Sequence, residues 1–155
     1  MKPLKPLKWA GFALGVLVVT FAGAQSVRPQ RADLKTDPSH TIQAHLAASS
    51  ALGPVLDRAC GDCHSNTMSS GWYTRVTPFS FLIARAAREG RKAVNFSEWN
   101  AYSPEQQRAF LAASCTDATT GRMPMAAYLR FRPDAKLSER DVAVICGAST
   151  NAARP

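Results

Sequence analysis

Cys60-Gly61-Asp62-Cys63-His64 sets two cysteines three residues apart, with a histidine directly behind the second. On a helical turn, positions i and i+3 share one face, so both sulfurs can reach the two vinyl groups of a single porphyrin. The adjacent histidine is then carried beneath the iron as its axial ligand. This is the spacing for covalent attachment of a c-type haem. A C-x-x-C pair by itself also serves zinc or dithiol chemistry. His64 and the N-terminus turn the reading toward haem.

The N-terminus reads as an export signal. Lys2, Lys5 and Lys8 precede an uncharged run from Trp9 to Ala24, and Ala22-Gly23-Ala24 supplies the small-x-small pattern of a cleavage site. The competing reading is an uncleaved anchor. Sixteen residues rise about 24 Å as a helix, short of a bilayer core of ~30 Å, although flanking lysines snorkel. Cleavage after Ala24 is the favoured expectation. Either way the rest of the chain is expected outside the cytoplasm, in the periplasm, free or tethered through residues 9–24.

Export makes a disulfide permissible. Cys115 and Cys146 are the cysteines left over, and an even pair in an exported chain is expected to bridge. Closing a loop of about 31 residues stabilises by roughly 3–4 kcal/mol in the chain-entropy model. A four-sulfur zinc site with Cys60 and Cys63 would leave His64 without a role. The chain carries 19 Lys+Arg against 11 Asp+Glu, formally +8, with three of the lysines in the signal. Such a field can steer an acidic redox partner or simply solvate the surface. The arginines are scattered with no basic block, and export removes the opportunity for nucleic acid.

Residues 1–24 are thus signal or anchor, 25–50 a linker with Pro29 and Pro38, and 51–155 the domain. Leu52, Val55, Leu56 and Ala59 fall at helical spacing and end at the haem motif. Asn66 to Thr77 reads as loop. Pro78 opens a second apolar helix, which Gly90 ends. Ser103-Pro104-Glu105 starts a third that runs to about Ser114. After a turn over Ala118–Arg122 come Met123-Pro124-Met125 and a short helix closed by Pro133. Ser138 and Asp141 cap the last helix. No run alternates as strands do, so the fold should be all-α.

Beyond the motif, Ser65-Asn66, Trp72-Tyr73, Pro78, Gly90-Arg91, Asn95-Phe96-Ser97-Glu98-Trp99, Met123-Pro124, Tyr128 and Leu137-Ser138 form a further pattern. Together they resemble the small bacterial haem-binding domain family of c-type cytochromes, over roughly Leu52 to Ala148. The resemblance implies a small cytochrome c-like helical domain around one covalent haem, in exported proteins that stand alone or are fused to peroxidase-type cytochromes. The chain departs from the family pattern at Ala86 and Arg132, where histidines are common, and at Gly71, where proline is usual. Those losses argue against haem-ligand roles at 86 and 132.

His64 is the expected proximal ligand. For the distal side, Met123 leads because it sits before a proline after a glycine-bearing turn, similar to the ligand loop of small cytochromes c. Met125 is the alternative, with Met68, His40 and His45 further candidates, and methionines also serve as gap-filling core. By analogy, a backbone carbonyl near Pro78 would orient His64. Trp72, Tyr73 and Arg75 are candidates to bond the propionates, or are ordinary core. Trp99 and Phe96 are expected to pack the loop rather than touch haem, and Glu98 to bond locally. The expected function is a one-electron carrier with redox partner proteins, and no enzyme. The alternative is a haem-based redox or gas sensor or a peroxidase-associated domain; a distal histidine for peroxidase chemistry is missing.

Overall fold

The computed structural model describes residues 5–29, 34–47, 49–69 and 71–152, and it is all-α. Its helices are α1 (Lys5–Ala24), α2 (Leu52–Ala59), α3 (Gly61–His64), α4 (Phe79–Ala93), α5 (Pro104–Thr119), α6 (Ala126–Leu129) and α7 (Glu139–Ala152). Short 3₁₀ turns fill several of the intervals, and no strand occurs among the described residues. Lys2 and the middle of the expected linker, residues 30–33, lie outside the described residues.

Each helix follows from local chemistry. At α5, the Ser103 hydroxyl accepts from the Gln106 N–H at 3.3 Å while the Gln106 side chain accepts from the Ser103 N–H at 2.9 Å. Two otherwise unpaired donors are satisfied at once. The helix then continues to Thr119, beyond the expected end near Ser114. No breaker stands between those positions, and Cys115 is bonded across to Cys146 on α7 with the Cα atoms 4.7 Å apart. α2 turns Leu52, Val55, Leu56 and Ala59 inward onto Ile145 of α7 and onto Phe96 and Trp99. Burying each large aliphatic there stabilises by about 1.5–3 kcal/mol. Rather than running straight into the motif, the chain breaks at Cys60 (φ −121°, ψ −28°) and re-forms as α3.

Two expectations about boundaries change. Gly90 lies inside α4, which continues to Ala93. A Cβ at 90 would meet the Cys63 carbonyl oxygen at 2.5 Å, so glycine is there to let the motif turn approach the helix. The segment expected as linker up to residue 50 also contributes to the core. Ile42 is fully buried with Leu52 and Leu56, and the turns 38–40 and 42–45 pack on the 96–101 turn. Asn66 ties this region together, donating to the Lys35 carbonyl at 3.2 Å and to Glu98 at 2.7 Å, and accepting from Asn95 at 2.7 Å. The asparagine-phenylalanine-serine-glutamate-tryptophan stretch is therefore a hydrogen-bonded brace behind the motif, and Glu98, expected to bond locally, instead accepts from Asn66, 32 residues away.

α1 presents Trp9, Phe12, Leu17 and Val19 to the surroundings along its length. Among the described residues, no helix is long and apolar enough to cross a membrane. Where α1 ends, the Gln25 side chain accepts from the Thr77 N–H at 3.0 Å, which seats the chain on the domain just before α4.

Candidate cofactor site

Between α3, α4, α5 and the segment after Gly121 lies a cavity of about 520 Å³. That is within the ~300–1,000 Å³ range of small-molecule and cofactor sites. Small side chains on α4 and α5 (Ala86, Ala93, Ala113, Ala118) and the bare Gly90 leave the space open, and Phe96, Phe110 and Leu137 line it with apolar surface. The acidic groups that reach the lining are each bonded to a cation. Asp62 pairs with Arg132 at 2.9 Å, Glu89 with Lys92 at 3.0 Å, and Asp117 with Arg122.

α3 brings Cys60, Cys63 and His64 to one wall. Burial, then the neighbouring sulfur, pushes the Cys60 thiol up to about 12; burial, then Asp62, pushes Cys63 up to about 11. Both sulfurs are therefore neutral thiols at ordinary pH. Burial also holds the His64 pKa below its usual value, which keeps the imidazole neutral. Its Nδ1 lies 3.1 Å from the Val94 carbonyl. A donated Nδ1–H leaves the Nε2 lone pair free to ligate. The orienting acceptor is thus Val94, at the end of α4, and not a carbonyl near Pro78. α4 passes so close to the motif at Gly90 that the carbonyl of Val94, which caps the helix, comes within reach of His64.

Met123, Pro124 and Met125 also line the cavity, both methionines being 39% exposed. Gly121, at φ +67°, makes the turn out of α5 that glycine alone adopts at no steric cost. The other distal candidates are elsewhere. Met68 packs on Tyr73 and Ile83, His40 is exposed beside Asp37, and exposed His45 bonds to Asn100.

Trp72, Tyr73 and Arg75, the expected propionate partners, and Pro78 are not among the residues that line the cavity. Arg75 and Pro78 are exposed, and Trp72 is 59% exposed while stacking edge-on against Phe79 and Phe131. Of the expected partners, Tyr73 belongs to a second core cluster with Ile83, Tyr128 and Ala135. Tyr73 is buried there, with its hydroxyl 3.5 Å from Asp62. Phe96, expected to stay behind the loop, does line the cavity, its ring centroid 5.8 Å from that of His64. Cys115 and Cys146, bonded to each other, take no part in a site with Cys60 and Cys63. Among the described residues, no group of three or more His, Cys, Asp or Glu side chains could hold a bare metal ion.

The sequence reading missed Asp62. This buried motif residue accepts from Tyr128 Oη at 2.6 Å, Arg132 Nη1 at 2.9 Å, the Ser69 N–H at 2.8 Å and the Ser69 hydroxyl at 2.5 Å. Burial and then the bond to Asp62 push the Tyr128 phenol upward, so it stays a donor. The sequence signal was Arg132 itself, a cation where the family pattern has histidine, but its partner lies 70 residues away.

A family model described as a haem-binding domain matches residues 19–149. No curated protein and no solved structure matches the chain.

Proposed function

Since this chain belongs to the haem-binding domain family, we propose that it is an exported mono-haem c-type cytochrome that carries single electrons. Haem binding as such follows from the family. The finer reading is supported by one observation above the rest: Cys60, Cys63, His64 and the Met123–Met125 segment all line a single apolar cavity.

In this reading Cys60 and Cys63 hold the haem by thioether bonds, His64 Nε2 ligates the iron from one side and Met123 from the other, with Met125 as the alternative. The bound group supplies a one-electron iron couple, and a methionine sulfur opposite histidine favours the reduced form. The chain's residues do the rest. The Val94 carbonyl orients His64, the apolar lining excludes water, and filled axial positions leave little to reorganise between oxidation states. The half-exposed methionine segment lies where a transient redox partner can approach. The Cys115–Cys146 bridge suits a periplasmic setting, and α1 supplies either the export signal or a tether.

The test is the exported protein, matured with a working cytochrome assembly apparatus. An intact mass increased by one haem and haem staining that survives denaturation are expected, with a low-spin oxidised spectrum carrying the methionine–iron charge-transfer band. A mass lacking haem overturns covalent attachment. The runner-up, a redox or gas sensor, draws on the exposure of Met123, which makes that ligand displaceable. Carbon monoxide binding to the reduced protein at low concentration would favour it over the carrier.

A further inference from the structure

The Met123-Pro124-Met125 segment is half-exposed and makes no contribution to either buried core cluster, yet it is anchored on both flanks. On the α5 side, the Asp117 carbonyl accepts from both the Arg122 N–H at 2.9 Å and the Met123 N–H at 3.2 Å. The Asp117 carboxylate meanwhile accepts from Arg122 Nε at 2.9 Å. One residue thus holds the turn by main chain and side chain together. On the other side, the Met125 carbonyl accepts from the Tyr128 and Leu129 N–H groups at 2.9 and 3.2 Å. Tyr128 in turn reaches across 66 residues of sequence to Asp62, inside the motif and two residues before His64.

The Tyr128–Asp62 bond therefore ties the methionine segment directly to the wall that carries His64. Arg132 donates to the same carboxylate oxygen, Oδ2, at 2.9 Å, and the Ser69 N–H donates to Oδ1 at 2.8 Å, so both oxygens of Asp62 are held. A hydrogen bond to a buried, charged acceptor is among the stronger kinds, and its loss leaves that acceptor short of a partner.

We propose that Tyr128 and Arg122 are positioning residues for the distal methionine, acting through Asp62 and Asp117, and that they set how easily an outside ligand displaces it. The proposal rests on His/Met ligation. A thioether is a weak iron ligand on a segment without core packing, so the segment's restraint decides the competition with any other donor. Tyr128 is the stronger of the two because its partner is buried; the Arg122 pair is exposed and screened.

The experiment titrates imidazole into the oxidised, haem-loaded protein and follows the shift of the main haem absorption band, which reports binding in every variant; in the wild type, loss of the methionine–iron band accompanies it. Tyr128→Phe should tighten imidazole binding about tenfold, and Arg122→Gln about two- to threefold. In a Met123→Ala background both gains should vanish, because the ligand that imidazole competes with is gone. A merely structural role would lower the melting temperature but leave imidazole affinity unchanged, or would shift it equally in both backgrounds. Either result overturns the inference. Should Tyr128→Phe fail to fold, Arg122→Gln decides alone, since its side chain is exposed. A wild-type oxidised protein without the methionine band overturns the ligation reading, and the inference with it; a wild-type band with unmoved variants overturns the inference only.

Discussion

On one side of the cavity Cys60, Cys63 and His64 follow one another within a single helical turn, with His64 oriented by a carbonyl of the helix packed against it. Elsewhere in the lining, Met123 and Met125 stand on an irregular segment, held by Asp117 six residues back and by a motif carboxylate 66 residues before Tyr128. The first wall is made by local geometry and is partly buried. The second is made by long-range hydrogen bonds and is half open. Under the proposed His/Met ligation, such a pairing would combine a fixed ligand with an adjustable one.

The sharpest way to break the comparison is to remove the adjustable ligand. Met123→Ala should leave haem attached and abolish methionine ligation outright, while Met125→Ala should leave the oxidised spectrum unchanged. The reverse outcome would transfer the role to Met125. Next in size is the bridge that joins α5, from which the methionine turn departs, to α7. Cys115→Ser should destabilise the domain by roughly 2–5 kcal/mol without releasing haem, read by thermal melting and haem stain. An unmoved melting temperature would mean the bridge contributes nothing to folding.

Gly90→Ala probes the rigid wall. Its Cβ would meet the Cys63 carbonyl oxygen at 2.5 Å, a backbone atom that cannot turn aside. A loss of about 1–3 kcal/mol in chemical denaturation is expected, despite the better helix propensity of alanine. The smallest effect concerns Asp141, whose carboxyl is held below its ordinary 3.8 by the Ser138 N–H and hydroxyl, and by Arg58 at 2.8 Å. A depressed folded-state pKa stabilises above the unfolded value, and that contribution fades as pH falls through the folded value. Stability should therefore decline below pH ~4, and Asp141→Asn should flatten that decline. An unchanged slope would remove Asp141 as a contributor.

How much of this was legible depends on separation along the chain. The i, i+3 cysteines, the capping box at Ser103 and the helical spacing from Leu52 are short-range patterns, and they led to the attachment motif and the all-α class. Gly90 was misread as a helix end because a glycine's close approach looks the same in sequence as a terminator. Trp72, Tyr73 and Arg75 were grouped with the cofactor by chemistry alone; Trp72 and Tyr73 pack against Phe79 or Phe131, and Arg75 is exposed. Residues 38–46 looked like linker because one buried isoleucine, Ile42, gives no period to detect.

The chain's own order of residues determined that two thiols and an imidazole would share a turn, since backbone geometry over five residues admits little else. It also determined that cysteines would remain in a pair suited to bridging. Only the folded molecule decided which carbonyl orients His64, which acid in the motif is buried, and which side chains clasp the methionine segment. Those choices join residues 30 to 70 positions apart. Loop entropy and packing, which no local pattern encodes, select among such pairings.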